Sequence, residues 1–168
     1  MNEELQSFYF LGVALAIGLL IGVERGWKER DAKDGERIAG IRTYGLIGLL
    51  GGGTALLTQS AGGLVIGLAY VAIAGALTTV YVVNLRRGDE DVGITSLITG
   101  LVTFMLGALA GVGEVVVAAA FGVVTTLLLS HKPTLHRWVG GLKGKELRAG
   151  IKLLLITVAL LPVLPNKG

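Results

Sequence analysis

Glu24 and Arg25 stand together at the end of an apolar run, and Arg42 and Thr43 open the next one. A carboxylate beside guanidinium groups at the edge of hydrocarbon can hold an ion, clamp a polar ligand or dock a partner. Asn84 and Arg86 close the third apolar run, and Asp89, Glu90, Asp91, Thr95 and Ser96 lead into the fourth. The polar groups therefore gather at one depth. The candidates for an ion, ligand or docking site are Glu24, Arg25, Arg42, Thr43, Asn84, Asp91 and Thr95. The same charges have a plainer reading, as flanks that snorkel to the membrane surface and set topology. Thr95, Thr99 and Thr103 recur every fourth residue, so they share one helix face. Thr99 and Thr103 are candidates to line a pore. Such hydroxyls also bond the carbonyl one turn back in their own helix.

Other chemistries are disfavoured. There is no cysteine, which removes disulfides, thiol nucleophiles and thiolate-bound zinc. No Ser/His/Asp set stands out, so an enzyme is not expected. His131 and His136 are five apart with no matching second pair, which argues against zinc. The run Gly45–Gly53 lacks the Gly-Lys-Ser/Thr of a phosphate loop. No cofactor is expected, and no metal ligand set is identified. No Asp, Glu, Lys, Arg or His lies near the middle of an apolar run, as a proton relay or charge-sensing helix would require.

The elements that must position these groups are membrane helices. Of 168 residues, 52% are hydrophobic and only 16% charged, against about 25% charged in soluble domains. Mean hydropathy is +0.72. Apolar runs fall at about 7–23, 43–59, 63–83, 93–110, 115–130 and 148–164, the last closed by Pro162 and Pro165. Lengths of this order suit helices that bond their own backbone groups in lipid. The expected fold is all-α, a polytopic membrane protein of five to six transmembrane helices. Residues 1–130 are expected to form a five-helix module, and 131–168 a cytoplasmic amphipathic segment and a sixth membrane helix. Around 133–142, Leu135, Trp138, Val139 and Leu142 fall at helical spacing among Lys and Arg, as in a helix lying on an anionic leaflet.

Charge sets the orientation. Thirteen of the fifteen Lys and Arg lie in 24–42, 84–92 and 131–150, and the alternate loops 60–62 and 111–114 have none. The basic side faces the cytoplasm and the N-terminus lies outside. The net charge of +3 is thereby explained without a nucleic-acid partner. Glycines recur at four-residue spacing at Gly18/Gly22, Gly22/Gly26, Gly48/Gly52, Gly63/Gly67 and Gly107/Gly111. Such pairs let helix backbones approach closely, within one chain or across a homo-oligomer.

Gly18-Leu-Leu-Ile-Gly22-Val-Glu24-Arg25, followed by Ala39-Gly40-Ile41-Arg42-Thr43 and by Gly93-Ile-Thr-Ser, resembles the N-terminal signature of the MgtC/SapB membrane proteins over about residues 8–130. The variant is most similar to the branch in which this module precedes a second, uncharacterised membrane domain. Glu146–Asn166 resembles the start of that domain. The resemblance implies a bacterial or archaeal plasma (inner) membrane protein with a role around magnesium limitation and intracellular survival. It also implies control of other membrane machines, the ATP synthase among them. No soluble C-terminal regulatory domain is expected from this sequence, so sensing by such a domain is not carried over. Glu24, Arg25, Arg42 and Thr43 are the residues that the motif singles out. The partners expected are the lipid bilayer, a second copy in a homo-oligomer, and another membrane protein or second membrane domain supplied in trans. Two functions follow as expectations: a non-enzymatic regulator linked to magnesium or ion homeostasis, or an ion channel or transporter with its polar mouth at the cytoplasmic helix ends.

Overall fold

The computed structural model describes residues 2–28, 40–86, 94–131, 148–150, 152, 153 and 155–157. It divides into two units, Met1–Ser130 and His131–Gly168. The first contains five helices: α1 (Glu3–Lys28), α2 (Ile41–Ala61), α3 (Leu64–Arg86), α4 (Ile94–Gly111) and α5 (Val115–Ser130). No strand occurs among the described residues. The chain is an all-α membrane protein. α1, α3 and α4 are long and apolar enough to cross a bilayer, and α5 is a shorter apolar helix. In the second unit, 148–150, 152, 153 and 155–157 are helical. The rest of the sixth apolar run and the amphipathic stretch 133–142 lie outside the described residues.

Local chemistry fixes the helix ends. α1 carries Glu3 and Glu4 in its first turn and Arg25 and Lys28 in its last, the order that complements a helix dipole. It runs through Lys28, past the point where the charged segment begins in the sequence, so Glu24 and Arg25 are helical residues. α2 begins after Gly40, whose carbonyl accepts the Tyr44 N–H at 3.2 Å. It ends at Gly62, with φ +83°, whose N–H returns to the Thr58 carbonyl. Gly113, with φ +96°, turns α4 into α5, and the Glu114 N–H bonds back to the Leu109 carbonyl at 2.9 Å. A side chain at either glycine would be strained.

α2 lies between α1 and α4, with which it makes the two largest helix interfaces. The interfaces are backbone against backbone. A Cβ at Gly48 would stand 2.5 Å from the Ala14 carbonyl oxygen of α1, and one at Gly22 would stand 2.7 Å from the Ile41 Cα of α2. On the other side of α2, Gly107 of α4 abuts the Gly48 carbonyl, and a Cβ at Gly111 would be 2.5 Å from the Gly52 carbonyl oxygen. α2 is 21 residues long; its glycines Gly48, Gly51 and Gly52 face the neighbouring helices, while Leu46, Leu50 and Leu57 are exposed.

α4 touches all four other helices and is the most buried candidate span. α5 packs on α1 and α4, with Gly122 fitted against Ile17. α3 packs on α2 and α4, meeting α4 in the Tyr70–Phe104 ring pair, 5.8 Å between centroids, and buries no residue. Of the four-residue glycine pairs, Gly18/Gly22, Gly48/Gly52 and Gly107/Gly111 serve internal packing, whereas Gly26, Gly63 and Gly67 meet nothing.

Gly107→Ala is expected to destabilise the bundle by about 1–3 kcal/mol, because the added methyl has only the Gly48 backbone to meet. Gly67→Ala, in open space on α3, is expected to be neutral or stabilising by up to about 1 kcal/mol. Unfolding in detergent, followed by circular dichroism, compares the two.

Candidate functional site

A helical stripe explains how Arg25 comes to be buried. Ala14, Ile17, Gly18, Ile21, Gly22 and Arg25 follow one another at steps of three, one, three, one and three, and all six are buried. The face that packs α1 against its neighbours therefore ends in a guanidinium group. Glu24, one residue and about 100° round the helix from Arg25, is half-buried and engaged in an interaction of its own.

Arg25 is 5% exposed, and its guanidinium donates a close hydrogen bond to the Ser96 hydroxyl in the first turn of α4. Tyr44 of α2, 1% exposed, donates its hydroxyl to the Ser96 backbone carbonyl at 3.3 Å. One residue of α4 thus joins a cation from α1 and a phenol from α2. A hydrogen bond to a charged donor is worth more than a neutral one, and burial raises the cost of losing it. Ser96 itself heads a buried stripe continued by Thr99, Gly100, Thr103, Phe104 and Gly107.

The other candidates are placed differently. Arg42 is exposed in the first turn of α2 and Thr43 is half-buried beside it. Asn84 is half-buried near the end of α3, and Thr95 is exposed at the start of α4. Asp91 lies outside the described residues. Thr99 and Thr103 are buried, and their hydroxyls donate to the carbonyls of Thr95 (2.6 Å) and Thr99 (2.7 Å). Each therefore satisfies a carbonyl of its own helix one turn back. Among the described residues no group of three His, Cys, Asp or Glu could hold a metal.

Sequence reasoning singles out Arg25 but misses Ser96, which it bonds, and Tyr44, which bonds Ser96 in turn. Tyr44 adjoins Arg42 and Thr43 in the motif, and only the stripe Tyr44, Ile47, Gly48, Gly51, Gly52, Ala55 marks it as inward. Ser96 was passed over for Thr95, although the step from Ser96 to Thr99, Gly100 and Thr103 matches a buried face better than the four-residue spacing of the threonines.

Ser96→Ala is expected to cost about 1.5–3 kcal/mol, since it removes the acceptor of a charged donor. Tyr44→Phe is expected to cost about 0.5–1.5 kcal/mol. Arg42→Gln, at an exposed position, is expected to stay within about 0.5 kcal/mol of the parent. Denaturant titration in detergent orders the three.

A model of the MgtC family matches residues 11–138, which take in α1 from its third turn, the whole of α2 to α5, and the node of Arg25, Tyr44 and Ser96. No curated protein and no solved structure matches the chain. With about three quarters of its length covered by that family, the chain belongs to the MgtC family.

Proposed function

We propose that this protein is a non-enzymatic membrane regulator, or a subunit of one, that acts through helix–helix contacts and through the polar helix ends around Arg25. Family membership links it to magnesium or ion homeostasis. The observation that carries the regulatory reading is the closed centre of the bundle. α2 meets α1 and α4 through glycine backbone, and the Thr99 and Thr103 hydroxyls are spent on their own helix. The seams of a single chain leave little room for an ion to pass. α3, apolar and without a buried residue, offers a long face to lipid, to a second copy or to another membrane protein. The basic flanks orient the chain in a plasma (inner) membrane as a multi-pass protein with its N-terminus outside.

A second reading rests on Arg25. An ionisable group buried in a membrane helix often marks an ion or substrate path. On this reading Glu24, Arg25 and Arg42 form the mouth of a channel or transporter, whose lining is completed between copies.

Ion flux in proteoliposomes separates the two. The purified, folded chain is expected to pass no magnesium, monovalent cation or anion above protein-free vesicles, while crosslinking in membranes at native expression captures a membrane-protein partner. Flux that Glu24→Gln or Arg42→Gln abolishes would instead establish the transport reading.

A further inference from the structure

α4 is held in two different ways along its length. Toward Gly111 it is locked backbone to backbone on α2: Gly51 against Phe104 and Ala108, Gly107 against Gly48, and Gly111 against Gly52 and Ala55. Toward Ser96 the one glycine of α4, Gly100, meets side chains instead of backbone. There α4 is held by side chains: Arg25 and Tyr44 on Ser96, and Ile47 and Leu77 over Gly100. α1 and α2 differ from this, because their glycine contacts continue from Gly48 and Ala14 through Gly18 and Tyr44 to Gly22 and Ile41.

From this asymmetry we infer that the Arg25–Ser96–Tyr44 node is a latch, which closes the Ser96 half of α4 onto a rigid α1–α2 pair. The pivot lies where Gly107 meets Gly48. Side-chain contacts can part without a change in the backbone seam, so the bundle opens at the Arg25 end and stays shut at the Gly111 end. Opening withdraws Ser96 from Arg25 and brings the guanidinium into reach of whatever enters from that end. The latch follows from packing alone and holds for a regulator and for a transporter alike, so flux results do not bear on it.

The chain has no cysteine, so paired spin labels can be introduced without removing native residues. Three cysteine pairs at exposed positions suffice: Leu46 with Ile98 for the latch end of α2 and α4, Leu57 with Val112 for the seam end, and Val23 with Leu46 for α1 and α2. Distances are read by electron–electron resonance on the full chain in lipid nanodiscs, in the parent, Ser96→Ala and Tyr44→Phe backgrounds. The expected result is a second, longer population for the 46–98 pair in both variants, with the 57–112 and 23–46 distributions unchanged. Tyr44→Phe carries the test if Ser96→Ala fails to fold. Distances unchanged in all three pairs, or lengthened in all three together, would overturn the latch, the second outcome marking general loosening of the bundle.

Discussion

The contact of one helix backbone with another, without side chains between, is the constraint on which this bundle depends. In lipid there is no hydrophobic drive to bring helices together, and close approach must come from surface fit. α2 meets that need on two sides at once, toward α1 through Gly45, Gly48 and Gly52 and toward α4 through Gly51 and the Gly48 and Gly52 carbonyls. The polar node of Arg25, Tyr44 and Ser96 is placed by this fit. Arg25 can reach Ser96 because α1 and α4 both close on the same thin helix. Tyr44 can reach the same residue because α2 separates them by little more than its own backbone.

The node in turn makes the bundle specific. The glycine seams already resist sliding, since a larger residue brought to Gly48 or Gly107 would meet the neighbouring backbone. A buried guanidinium that donates to one hydroxyl, and a phenol that donates to the carbonyl of the same residue, tolerate no such slip. Burying the cation is costly in itself. The two bonds to Ser96 are made in one register of α1, α2 and α4.

Much of this was legible in the sequence. The apolar runs marked the helices to within a few residues, since hydrocarbon thickness dictates length. The start of α2 at Ile41 and of α4 at Ile94 fell where the motif residues suggested. The glycine spacings foretold internal seams at Gly18/Gly22, Gly48/Gly52 and Gly107/Gly111. Gly63/Gly67 has the same spacing and packs against nothing, because spacing records what a face permits and not what lies opposite it. The fate of Arg25 was hidden for a related reason. A charge at the edge of an apolar run looks like a surface flank, and only its phase relative to Ile21 and Gly22 shows that it turns inward. Arg42, equally basic and equally marked by the motif, points the other way. Ser96 and Tyr44 carry no charge and left no comparable trace.

The glycine seam also bears on conformational entropy. A packed Leu or Met gives up rotamer freedom when it is buried, at a cost that reaches about 1–2 kcal/mol for the longer side chains, whereas glycine has no rotamers to lose. Where Gly48, Gly107 and Gly111 meet backbone, they add no side-chain ordering of their own. Arg25 and Tyr44, two long side chains held in one arrangement, carry an ordering cost that those glycines do not. Heating therefore weighs more on the polar node than on those glycine contacts.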